Sequence, residues 1–248
     1  MKLSFETDQG IGTRASFGVV LLQEDETLEA ELARLMALDG VALHHSRIRM
    51  ANEIRPDTLA RMEADLPDAV RMLPSAPSYD VIGYACTSAA TVIGSDRVAR
   101  AVQTVLPNAG VTDPLAAMIA AGRHLGVRRL GFVTPYVPEV SQQMRNRLSD
   151  AGFDIVAFGS FEESDDRVVA RIRADSILNA ALSVAAQSRC EALVIACTNL
   201  RVLRVLPAIE ARLGIPVLSS NVALAWHMLR LAGVQGARPD MGCLFAAP

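Results

Sequence analysis

Aromatic residues make up only 4% of the 248-residue sequence, and basic charge is not in excess. A chain that is 51% hydrophobic with so few rings must build its core from Ala, Val and Leu. That composition suits parallel sheets buried under helices on both faces. A net charge of −3 and a pI near 5.8, with both signs interleaved, supply no basic field for nucleic acid and no polybasic membrane surface. No apolar run approaches the ~20 residues of a membrane span, and residues 1–9 lack the charged and apolar regions of an export signal. The expectation is a cytoplasmic protein whose partners are small molecules and copies of itself, as a dimer or tetramer. Four cysteines without any Cys-x-x-Cys spacing argue against a disulfide framework and a structural zinc site, leaving reduced thiols that are either packed or reactive. His44-His45 has no acid or cysteine at ligand spacing, and Gly10, Gly12 and Gly18 do not follow the first strand as a dinucleotide fingerprint would. Neither a metal nor a cofactor is expected.

What the sequence does contain is a repetition. Tyr84-Ala85-Cys86-Thr87-Ser88 and Ile195-Ala196-Cys197-Thr198-Asn199 each follow a short apolar run that reads as a buried strand, and each precedes a segment with helical spacing. One copy in each half of the chain points to a duplicated half-domain. Strands are expected at 16–22, 41–46 and 81–85, with helices at 27–38, 56–72 and 96–105, before a short strand ending at Thr112-Asp113-Pro114. The series then restarts with a helix at 114–125, strands at 129–133, 154–158, 192–196 and 216–219, and helices at 139–151, 175–187, 201–213 and 222–231. The expected fold class is α/β: two pseudo-symmetric four-stranded parallel sheets flanked by helices, with residues 1–113 and 221–248 in one half and 114–220 in the other.

In such sheets ligands bind at the carboxyl ends of the strands. One half then offers residues 23–25, Arg47, Cys86, Thr87, Ser88, Thr112 and Asp113, and the other offers Tyr136, Ser160, Cys197, Thr198, Asn199 and residues 219–221. A thiol at a helix N-terminus can have its pKa lowered from ~8.5 to ~3.5–7.5 by the aligned backbone dipoles. Two opposed cysteines support either of two reactions. A carbon held between them can lose a proton on one face and regain it on the other, which is racemisation or epimerisation. Alternatively one thiolate adds to an activated double bond, and rotation followed by elimination gives cis-trans isomerisation. Backbone N–H groups after both cysteines, the hydroxyls of Thr87, Ser88 and Thr198, and the Asn199 amide are the expected donors to a charged intermediate. Cys190 and Cys243 lack the motif and read as structural, and Arg47 and Arg49 read as solvated strand-end residues.

Cys86-Thr87, Cys197-Thr198-Asn199, Thr134-Pro135-Tyr136 and the duplicated halves resemble the aspartate/glutamate racemase superfamily, in its branch containing maleate cis-trans isomerase and arylmalonate decarboxylase. Residues 22–27, His45-Ser46-Arg47, residues 84–88, residues 197–200 and Ser219-Ser220-Asn221 are most similar to the ectoine-utilisation protein A group. The resemblance implies catalytic cysteines at Cys86 and Cys197 and a carboxylate-binding tyrosine at Tyr136; the decarboxylase keeps only the second cysteine, so Cys86 weighs against decarboxylation. Where maleate isomerases carry a Pro-Ser-Ser-Asn type segment, this chain has Leu22-Gln23-Glu24-Asp25. An acid facing a dicarboxylate is repulsive, so Asp25 is expected to meet an ammonium or other donor of an amino-acid-like substrate, of diaminobutyrate type in an ectoine context. The competing class is a two-lobed binding protein, which needs no paired reactive thiols.

Overall fold

The computed structural model describes residues 1–50, 56–235 and 238–246. Strand β1 (Ala15–Leu22) is buried along its whole length because it lies between two other strands with both faces covered. It pairs in parallel with β2 (Val41–Ile48) and β3 (Val81–Ala85), and β4 (Gly110–Thr112) adds to the far edge of β3, giving the order β2-β1-β3-β4. The second sheet repeats this plan. Its strands β5 (Arg129–Thr134), β6 (Asp154–Ser160), β7 (Ala192–Ile195) and β8 (Val217–Ser219) are arranged β6-β5-β7-β8, again all parallel. The expected pair of four-stranded parallel sheets is therefore present, and every strand of a sheet delivers its carboxyl end to the same edge.

Eleven α-helices of the described residues connect and cover the strands: α1 (Leu28–Leu35), α2 (Pro56–Arg71), α3 (Thr87–Ile93), α4 (Ser95–Gln103), α5 (Pro114–His124), α6 (Pro138–Asp150), α7 (Asp166–Val169), α8 (Ala174–Ala185), α9 (Leu206–Leu213), α10 (Ser220–Leu231) and α11 (Cys243–Ala246). Several starts are written in the sequence. Asp113 accepts the N–H groups of Leu115 and Ala116 at the head of α5, with Pro114 as its first residue, and Ser219 accepts the Val222 N–H at the head of α10. Gly94, with φ +92°, occupies the left-handed region that lets the chain turn between α3 and α4. None of these helices is long and apolar enough to cross a membrane, among the described residues.

The two sheets are locked together by helices that contact both parts of the chain. Helix α10, at the end of β8, packs against α5, α1 and β3. A Cβ at Gly83 would stand 2.8 Å from the Met228 sulfur, so glycine there allows α10 to lie close on β3. Helix α3 packs against α6 of the second part. A buried carboxylate completes the join: Glu31 of α1 accepts the Leu203 N–H at 2.9 Å and the Asn221 side-chain amide at 2.8 Å.

Burial pushes the Glu31 carboxyl up to about 7, although the bonds from Asn221 and Leu203 favour its charge. Its folded-state pKa lies above its unfolded value of 4.5, so its stabilising contribution is complete below pH 4.5 and is lost as pH rises through 7. Urea unfolding across this range is expected to show stability falling more steeply in the native protein than in Glu31→Gln. Identical slopes in the two proteins would contradict the assignment.

Candidate active site

Strand β3 is buried throughout and ends at Ala85, so Cys86 is placed at the first turn of α3. Its sulfur caps that helix, accepting the Ala89 N–H at 3.4 Å, and lies 3.5 Å from the Ser88 hydroxyl. The next side chain, Thr87, puts its hydroxyl 2.8 Å from that of Ser220, and Ser220 Oγ also accepts the backbone N–H of Cys197 at 2.9 Å. One hydroxyl thus connects the turn after the first cysteine to the backbone of the second.

Cys197 is held differently from Cys86, and here the structure corrects the expected symmetry. The chain after β7 does not enter a helix at residue 201; it runs through irregular turns until α9 starts at Leu206, with Pro207 in its first turn. Cys197 has φ +138°, a region that residues with a Cβ rarely occupy and that costs ~1–3 kcal/mol unless its surroundings enforce it. Ser220 holds its N–H, and the Asn199 N–H donates to its sulfur at 3.3 Å. The Tyr136 hydroxyl, delivered just after β5, hydrogen-bonds the same sulfur, and the charges of both cysteines add to burial in raising its own pKa. Ser160 and Ser141 donate to the Tyr136 carbonyl and fix its turn.

Asn199, expected as a substrate donor, instead works as a tie between loops. Its side-chain oxygen accepts the Glu26 N–H at 2.9 Å, its amide donates to the carbonyls of Glu24 and Asp166, and its own carbonyl accepts the Thr27 hydroxyl. Arg47 is likewise not a solvated bystander. Its guanidinium donates to the carbonyls of Leu22, Gln23 and Asp25 at 3.0 Å and pairs with Glu29, bracing the loop between β1 and α1. Thr112 bonds the His227 ring at 2.8 Å and Asp113 caps α5, so these two strand-end residues serve the fold.

The braced loop carries Asp25, which is 2% exposed. Its Oδ1 accepts the N–H groups of Thr27 and Leu28, capping α1, while its Oδ2 has no hydrogen-bond partner; the Thr198 side chain and Arg47 favour its charge, but burial dominates and raises its pKa. Sequence reasoning missed a second such group. Asp166, the first residue of α7, is 4% exposed, has an unpartnered Oδ2, and is pushed up to about 7 by burial and by the charge of Asp25. The acidic run 162–166 follows β6, so extending the strand-end search past Ser160 reaches it.

Cys86, Cys197, Tyr136, Asp25 and Asp166 lie around one buried region: Asp25 and Asp166 each act on both thiols, and Tyr136 bonds Cys197 and feels the charge of both cysteines. Cys86, Cys197 and Tyr136 are each no more than 3% exposed, so the three side chains are shielded from solvent. Burial pushes the Cys86 thiol up to about 12, against the bonds from Ser88 and Ala89, and raises Cys197 well above the usual thiol range. The expected lowering by helix dipoles is overruled: α3 is only two turns long, no helix follows Cys197 directly, and Asp166 and Asp25 add like charge. Among the described residues, no group of three or more His, Cys, Asp or Glu side chains could hold a metal ion.

Comparison with known proteins places this geometry. The arylmalonate decarboxylase family matches residues 88–245, a span that begins just past Cys86 and includes Tyr136, Asp166 and Cys197. The maleate isomerase of Nocardia farcinica (strain IFM 10152) is 31% identical, with 92% of this chain and 94% of that protein covered. Arylmalonate decarboxylase of Bordetella bronchiseptica is 30% identical over a shorter stretch, 54% of this chain and 57% of that protein. Among solved structures, the Nocardia farcinica maleate cis-trans isomerase, a cysteine-to-serine mutant carrying a covalently bound succinylcysteine intermediate, superposes with a TM-score of 0.86 at 29% identity, covering 94% of this chain and 98% of that one. With a family match over more than half its length and an isomerase relative aligned along nearly all of it, the chain belongs to the arylmalonate decarboxylase family and is an enzyme of the isomerase class.

Proposed function

We propose that the protein is a cofactor-independent isomerase in which Cys86 and Cys197 act from opposite faces of a small carboxylate substrate, an amino-acid derivative connected with ectoine breakdown. The observation that carries this reading is the convergence of two thiols, from corresponding strand ends of two like sheets, on one buried space shared with Tyr136. One cysteine, as thiolate, removes the proton beside the carboxylate; the electron pair moves onto the carboxylate; the opposite thiol returns a proton to the other face. The two sulfurs finish with their protonation states exchanged. Backbone N–H groups of the two cysteine turns, the Tyr136 hydroxyl and the hydroxyls of Ser88, Thr87 and Thr198 are the donors proposed to hold the carboxylate as it gains charge. The ectoine connection rests on the sequence motifs, and the amino-acid character rests on Asp25, whose free oxygen suits a cation better than a second carboxylate. We further expect a cytoplasmic homo-oligomer, a dimer or tetramer, which size-exclusion chromatography with light scattering tests directly.

The second reading is cis-trans isomerisation of an unsaturated acid, favoured by the succinylcysteine found in the Nocardia relative. There a thiolate forms a C–S bond to one alkene carbon, the opposite thiol protonates the other carbon, the C–C bond rotates, and loss of that proton with C–S cleavage restores the double bond. Mass spectrometry separates the two readings, since only this route leaves a substrate-sized adduct on a cysteine.

In either route Cys86→Ser and Cys197→Ser should each lower net isomerisation by about 1,000-fold; full activity in both single variants would end the two-thiol account. With Cys86 raised to about 12, alkylation of the ligand-free enzyme by iodoacetamide should be slow at pH 7 and keep accelerating past pH 9. Rapid, pH-independent labelling of Cys86 at neutral pH would contradict the buried protonated thiol.

A further inference from the structure

The two-thiol chemistry leaves two buried carboxylates without a complete role. Asp25 enters from the loop before α1 and Asp166 from the head of α7, on the two different sheets' sides of the site. Both are more than nine-tenths buried, and each has an Oδ2 with no hydrogen-bond partner. Capping explains only half of Asp25, since Oδ1 makes both bonds to α1. It explains none of Asp166, because the cap of α7 is the neighbouring Asp165, which accepts the Arg167 N–H.

A buried carboxylate is retained only with a partner for its charge or a proton. The cations among the described residues do not supply one. Arg47 acts on Asp25, but its guanidinium is already engaged by three carbonyls and Glu29. Asp166 faces the carboxylates of Asp25, Asp165 and Glu24 together with the Asn199 side chain. Arg171, at the end of the same segment, pairs with Glu26 on the exposed side. Two carboxylates held side by side through Asn199, each with an unpartnered Oδ2, therefore act on one another and on both thiols without a counter-charge among the described residues. A divalent cation would need more oxygen ligands than these, whereas an ammonium presents three N–H donors to separate acceptors.

We propose that Asp25 and Asp166 together form the subsite for a free ammonium group of the substrate, beside the carbon held between Cys86 and Cys197. The inference rests on the two-thiol reading and narrows it: the substrate is an amino acid with an unblocked amine, and a dianion without nitrogen is excluded by two facing carboxylates. Asp166 is then a specificity-determining residue. The bound cation also offsets the carboxylate charge that adds to burial in raising both thiols, so the correct substrate favours the thiolate that attacks it.

The test uses the intact enzyme and a panel consisting of aspartate, N-acetylaspartate, 2,4-diaminobutyrate, its form acetylated at both amines, and maleate, with binding read by calorimetry and by protection of the cysteines from alkylation. At least one free-amine compound should bind about 100-fold more tightly than its acetylated counterpart and than maleate. Asp166→Asn should reduce that preference at least about 10-fold, weakening the free-amine compound and easing the binding of the acetylated compound and maleate. Asp25→Asn, which keeps the Oδ1 cap of α1, should do the same and serves if the Asp166 variant fails to fold. The proposal is overturned if no free-amine compound binds, if maleate or the acetylated forms bind as well, or if both variants keep the native preference. Failure of the two-thiol reading is separate, since it shows as full isomerase activity in the cysteine variants whatever the panel does.

Discussion

Ser220 Oγ is the atom on which the site depends. It accepts the N–H of Cys197 and meets the hydroxyl of Thr87, the residue that follows Cys86. Because Ser220 starts α10, and α10 packs on β3, the geometry of the second thiol is referred directly to the strand that carries the first. This matters for Cys197 in particular, whose φ of +138° must be enforced from outside. Asn199 performs the complementary task, fastening the loop of Asp25 and the segment of Asp166 to the turn of Cys197. Two sheets thereby present one set of side chains.

The second constraint is electrostatic. Placing two thiols, a phenol and two carboxylates in a space with almost no solvent exposure favours the neutral form of each. Reactivity then has to arrive with the substrate, either by a cation that compensates the acids or by the opening that admits it. A preformed thiolate would need the dipole of a helix N-terminus, whereas α3 is short and the chain after Cys197 is irregular.

Much of this is legible in the sequence, for identifiable reasons. The run 81–85 is apolar and bounded, so the strand and the cysteine at its end are read correctly, and the repeat of that pattern around Cys197 reveals the duplicated sheets. Asp113-Pro114 and Ser219 announce their helices because caps are local chemistry. The start of α9 is misplaced by reading Arg201 onward as helical, since the turns of residues 198–205 are set by contacts with Glu31 and α10 that lie far away in sequence. Arg47 looks like a surface charge until the loop folds back over it. The thiol pKa values are misjudged for the same reason: a dipole is visible from local spacing, whereas burial is a property of the whole fold. Asp166 belongs to an acidic run whose members look alike in sequence, and only the tertiary structure turns this one inward.

The claim that joins these observations is that each cysteine serves one face of the substrate. Its most direct test is stereospecific hydrogen exchange in deuterium oxide with the single cysteine variants and each enantiomer of a turned-over amino acid. The account predicts that Cys86→Ser exchanges the α-hydrogen of one enantiomer only and Cys197→Ser that of the other, with neither variant interconverting them. Exchange of the same enantiomer by both variants, or racemisation by either one alone, would contradict it.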